Sequence, residues 1–94
     1  MSQMARVRLF GRASDAAQGQ KDLRISSRTL RETLEHLKRI FGDQFAALII
    51  DEAGNVRPFI NIFVNKKHMN QLQGLDTEIS DEDEVLIVPA IAGG

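Results

Sequence analysis

The sequence contains no cysteine. That absence excludes disulfides, thiolate-held zinc or iron–sulfur centres, and cysteine nucleophiles together, and it agrees with a reducing compartment. An excess of one charge is also missing. Twelve Lys and Arg face thirteen Asp and Glu, a formal net charge of −1, so no global field draws the chain to nucleic acid or an anionic membrane. No apolar run approaches the roughly 18 residues of a membrane span. No signal-peptide core precedes the first strand-like segment, so a cytoplasmic location is expected. There is no Gly-rich phosphate loop and no nucleophile motif. His36 and His68 lie far apart without a local carboxylate constellation, so no metal site is expected. Lys66-Lys67 is too small a pair for a nucleic-acid patch.

What is present fits one small domain of 94 residues, 43% hydrophobic and 27% charged. A chain of this size buries roughly 60–65% of its unfolded surface, enough for one core but not for a deep enclosed pocket. Ala5 to Phe10 partly alternates: Val7 and Leu9 face one way, Arg6 and Arg8 the other, as in a half-buried strand. Residues 11–20 are small and polar and read as a turn. Leu23 and Ile25 continue as a second, shorter strand.

The clearest helix follows. Leu30, Leu34, Leu37 and Phe41 recur at i, i+4, i+7 and i+11, one narrow stripe at about 100° per residue. Thr29-Leu30-Arg31-Glu32 matches a capping box. Glu35 and Arg39 are spaced for an i,i+4 pair, and His36 is placed on the wet side within reach of Glu32. Gly42 suits the helix end. Residues 45–50 read equally as a helical turn or a short strand. Residues 51–55 form a loop by their turn chemistry.

Residues 59–64 are the strongest strand, rich in β-branched and aromatic side chains. Asn65-Lys66-Lys67 turns the chain, and residues 80–84 form an acidic turn. Residues 85–88 are a last strand. Pro89 has no N–H for a ladder, so regular pairing is expected to stop about there. Ala90-Ile91-Ala92-Gly93-Gly94 follows. One apolar helix face needs a sheet to cover it, which gives a two-layer α+β domain over residues 1–89 with a flexible tail over 90–94. Strand order does not follow from this pattern.

Arg57-Pro58-Phe59-Ile60-Asn61-Ile62-Phe63-Val64-Asn65 resembles the middle strand of the ubiquitin-like sulfur carriers. That family includes the molybdopterin synthase small subunit, the thiamine sulfur carrier and a cysteine-synthesis carrier. The resemblance resumes at Gly74-Leu75-Asp76-Thr77. It is strongest from Asp83 through Val85-Leu86-Ile87-Val88-Pro89-Ala90-Ile91-Ala92 to Gly93-Gly94. It implies a β-grasp fold: a mixed sheet with one main helix on one face, its first and last strands adjacent at the centre.

The resemblance also implies a chemistry. An ATP-dependent adenylating enzyme joins the Gly94 carboxylate to AMP, a sulfur donor displaces AMP to leave a thiocarboxylate, and the sulfur passes to an acceptor enzyme or a synthase large subunit. ATP is then the activating partner's substrate, and this chain holds no cofactor and is no enzyme itself. A permanent synthase subunit and a protein modifier are the alternatives. Gly93 and Gly94 lack a Cβ and let the backbone approach a narrow site closely. At roughly 3.3–3.6 Å per residue, an extended arm from Pro89 to Gly94 reaches at most about 20 Å.

Docking requires a surface. Period two sets Ile60, Ile62 and Val64 against Phe59, Asn61 and Phe63, and Val85 and Ile87 against Leu86 and Val88. With one strong helix to cover one face, Phe63, Leu86 and Val88, joined by Phe59, are expected to form an exposed apolar patch for the activating enzyme. The competing expectation is that residues 45–50 cover them.

Overall fold

The computed structural model describes residues 4–90. The alternating segments become strands β1 (Ala5–Leu9), β2 (Asp22–Ile25), β3 (Ile60–Val64), β4 (Lys67–His68) and β5 (Glu84–Pro89). They form one mixed sheet in the order β2-β1-β5-β3-β4. β1 and β5 run parallel, with Val7 beside Val85 and Leu9 beside Ile87. β3 runs antiparallel to β5, with Ile62 opposite Ile87 and Phe63 opposite Leu86. The first and last strands therefore meet at the centre of the sheet.

The leucine stripe becomes helix α2 (Leu30–Phe41), with Leu30, Leu34 and Leu37 buried. The Thr29 hydroxyl accepts from Glu32 N–H, as the capping box requires. The Glu32 carboxylate accepts from Arg28 N–H rather than from the cap residue itself. Among the described residues His36 forms no hydrogen bond or ion pair with Glu32. Glu35 and Arg39 are not among the ion pairs of the described residues, which are Arg6–Asp22, Arg6–Glu84, Arg8–Glu84 and Arg31–Asp76. An exposed pair of that kind contributes only about 0.3–0.5 kcal/mol, too little to fix two long side chains.

One reading is corrected and one open reading is decided by helices. Residues 11–20, read as a turn, contain helix α1 (Gly11–Ala16). Its contribution to the core is Ala13 and, just beyond it, Ala17, both fully buried. The ambiguous residues 45–50 fall largely in helix α3 (Asp43–Ile49), with Phe45 and Ile49 buried. Among the described residues there are thus three α-helices, α2 being the longest.

All three contribute to one core. Phe45 and Ile49 join Leu30, Leu34 and Leu37 over Val7, Leu9, Ile62, Val85 and Ile87. The Phe41 and Phe45 rings meet at 5.3 Å between centroids across the α2–α3 junction. Residues 45–50 therefore deepen the cover on one face and leave the other face open. At the end of β5 the ladder stops about where expected: Pro89 is the last strand residue and pairs with Ile60, and Ala90 N–H donates to the Phe59 carbonyl at 2.6 Å. Proline lacks a donor, so the next residue closes the ladder. Gly93 and Gly94 lie outside the described residues.

Candidate functional site

The open face of the sheet is set by strand parity. Residues alternating with the core positions point away from the helices, and the register arranges them in lateral rows. In one row Arg24, Arg6 and Glu84 lie side by side across β2, β1 and β5. Asn65 N–H donates to the Glu84 carbonyl at the far side of that row. The next holds Asp22, Arg8, Leu86, Phe63 and His68. A third begins with Asn61 opposite Val88, and Phe10 follows β1 alongside. Last come Phe59 and Ala90, joined by their backbone bond.

Polarity falls along these rows towards residue 90. At the charged end the Arg6 guanidinium reaches the Asp22 carboxylate at 2.6 Å. Hydrogen bonding to that guanidinium, foremost, holds Asp22 below the usual carboxylate range. In the middle row His68 Nδ1 accepts from Asn70 N–H, which leaves Nε2–H to donate to Asn61 Oδ1 at 3.2 Å. The Phe63 and His68 rings pack edge to face at 5.3 Å. His68, read from sequence as a turn residue, thus stands in β4 and supports Phe63.

The sequence-derived patch residues share this face. Phe63, Leu86 and Val88 are half-buried rather than exposed, while Phe59 is 39% exposed. None of the four belongs to the core cluster or packs against it. The register sets Phe63 between Leu86 and His68 and sets Leu86 beside Arg8, and the His68 ring packs on Phe63. Sequence reasoning missed Phe10, which is 37% exposed. Carrying the Arg6/Arg8 parity two residues further places Phe10 on the same face. Among the described residues, no group of His, Asp and Glu is arranged to hold a metal ion. No helix among them is long and apolar enough to cross a membrane.

A five-stranded mixed sheet with β1 and β5 paired at its centre, one helical layer and one open face is the β-grasp, ubiquitin-like fold of the small sulfur carriers. The chain belongs to the ThiS family, whose profile matches residues 7–94. The sulfur carrier protein CysO of Mycobacterium tuberculosis is 35% identical over 77 residues, 81% of this chain and 83% of that protein. Its crystal structure superposes with a TM-score of 0.82 at 28% identity, covering 93% of this chain and 99% of that one. The Amycolatopsis orientalis BexX/CysO complex contains a chain that superposes with a TM-score of 0.81 at 27% identity, covering 96% and 99%.

Proposed function

We propose that the chain carries sulfur on its Gly94 carboxyl group as a thiocarboxylate. A carboxylate is a poor acyl electrophile because attack must expel a very poor leaving group. An ATP-dependent adenylating enzyme changes this: a carboxylate oxygen attacks the α-phosphorus of ATP, pyrophosphate leaves, and an acyl-adenylate forms. A sulfur nucleophile at the oxidation level of hydrosulfide then attacks the acyl carbon and expels AMP. The thiocarboxylate passes its sulfur to an acceptor, and the carboxylate is regenerated by water.

The observation that carries this reading is the end of the central strand. Ala90 is tied to Phe59 at the end of the central strand, and Ile91-Ala92-Gly93-Gly94 follows it. The side chains of this segment are small after Ile91, and its two glycines allow backbone conformations closed to other residues. The folded body therefore serves as a handle and the tail as the reacting group. Family membership supports the sulfur-carrier reading, and the CysO relative seen in complex with BexX supports the expectation of a docking partner. The activating enzyme, the sulfur donor and the acceptor enzyme supply the catalysis, and Phe63, Leu86, Val88 and Phe59 supply the docking face.

The test is intact mass after incubation with an adenylating enzyme of the ubiquitin-activator class, ATP and sulfide. The expected result is the increment of one oxygen replaced by sulfur, mapped by fragmentation to Gly94. A variant lacking Gly94 should show no increment while unfolding at the same temperature. Sulfur mapped elsewhere, or no adenylate with the intact chain, would sink the proposal.

A further inference from the structure

Four large apolar side chains are markedly exposed among the described residues: Met4, Phe10, Ile40 and Phe59. Two of them flank the root of the tail. β5 lies between β1 and β3. On one side Phe59 accepts from Ala90 N–H through its carbonyl. On the other, Phe10 N–H donates to the Ile87 carbonyl at 3.1 Å. The Phe10 backbone is extended, with φ −126° and ψ 151°, so its ring keeps the parity of Arg8 and Val88. The Arg8 guanidinium carbon stands 5.5 Å from the Phe10 ring centroid, which supports the ring from the sheet side.

The fold does not explain a phenylalanine at this position. Phe10 is absent from the core and from the side chains packed against it. It also occupies the N-cap of α1 and makes no side-chain cap bond there, although Ser, Thr, Asp or Asn would each satisfy a helix N–H. An exposed aromatic that forgoes a cap has its use outside the domain.

We infer that Phe10, held by Arg8, is a docking anchor for the apolar lip of the passage through which the adenylating enzyme takes the tail. The inference rests on the reading that Gly94 reacts. From Ala90 to Gly94 an extended chain spans at most about 14 Å. A protein that holds the Gly94 carboxyl at its catalytic centre is therefore drawn against the side chains around Ala90, and the aromatic rings of Phe10 and Phe59 are the largest apolar surfaces there. Both are continuous with Val88 and so with the patch on the open face.

The experiment is steady-state adenylation, followed by pyrophosphate exchange, with the same class of adenylating enzyme. Three variants of the full chain are compared with the unaltered one. Phe10→Ser should raise the KM for the carrier about tenfold, the loss expected of an interfacial aromatic, with kcat within about twofold. Its melting temperature should hold or rise, because serine caps α1. Phe10→Leu should recover most of the affinity. Ile40→Ser, on the helical side and 55% exposed, should leave KM unchanged. An unchanged KM for Phe10→Ser overturns the inference, as does an equal rise for Ile40→Ser. A rise in KM that tracks a lowered melting temperature assigns Phe10 a structural role and overturns it too. An unaltered chain that supports no exchange removes the Gly94 reading and this inference with it.

Discussion

Asp83 sits where the turn after β3 meets the start of β5. Its Oδ2 accepts from Ser80 N–H at 2.8 Å, and its Oδ1 accepts from the Asn65 amide at 2.7 Å. Asn65 in turn accepts from Glu84 N–H through its side-chain oxygen. Asn65 and Lys66 both have positive φ, 51° and 73°, so this reciprocal tie holds a tight two-residue hairpin that asparagine suits and lysine does not. Burial pushes the Asp83 carboxyl up, but the Ser80 N–H and the Asn65 amide outweigh it and hold the group below the usual carboxylate range. A depressed folded value means that the unfolded chain takes the proton first as pH falls. The stabilisation is therefore complete above the ordinary carboxylate value of about 3.9 and is lost as pH falls through the lower folded value. Asp83→Asn should cost about 1 kcal/mol at neutral pH, and the gap to the unaltered protein should close in acid. Urea unfolding of both proteins at neutral and acid pH reads this directly. A gap that stays constant would show that the anion is not what the tie depends on. Asp22 titrates low as well, but it is common to both proteins and cancels in the difference.

The α2–α3 junction is built on Gly42. Its φ of 96° and ψ of −177° belong to a region that side chains with a Cβ avoid. Its N–H still closes α2 on the Lys38 carbonyl, while its own carbonyl accepts from Ala46 N–H in α3. A Cβ at this position would meet nothing within 4 Å, so the cost of Gly42→Ala is backbone strain alone, about 1–3 kcal/mol. The urea midpoint should fall with the slope unchanged, and a midpoint equal to that of the unaltered protein would show the junction to be unstrained.

The same elements mark what sequence can convey. The bounds and buried face of α2 were legible because its leucines are large and spaced at a helical period and Thr29 caps it. α1 was not, because Ala13 and Ala17 fill the gap between sheet and helices while being too small to write a hydrophobic period. α3 was ambiguous for its length: seven residues show two turns, and the same apolar run fits a strand. The β5 end was legible at Pro89, where the strand stops; only the closing bond from its neighbour, Ala90, was not.

Over the whole molecule the important asymmetry is between the two faces of the sheet. Period two along β1, β3 and β5 separated the faces correctly from sequence, down to Phe63, Leu86 and Val88. It could not show which rows those residues share, because register between strands is a long-range property. The rows matter, since they turn scattered half-buried side chains into an apolar end near residue 90 and a charged end around Arg6, Asp22 and Glu84. Parity places Phe10 on this face, but Ile87, whose carbonyl its N–H meets, and Ala90 are more than seventy residues away in the chain. A face with this gradient should bind by its apolar end and be oriented by its charged one. Phe63→Ala/Val88→Ala should therefore weaken the affinity for the adenylating enzyme more than about tenfold, as loss of central apolar contacts does. Neither residue belongs to the core, so the unfolding midpoint should move much less than after a core truncation such as Leu37→Ala. Added salt should slow association while leaving dissociation nearly constant, because exposed charges act mainly on encounter. Calorimetry and stopped-flow binding separate these terms. Unchanged affinity in the doubly substituted chain, with its fold intact, would move the docking surface off this face and onto the helices.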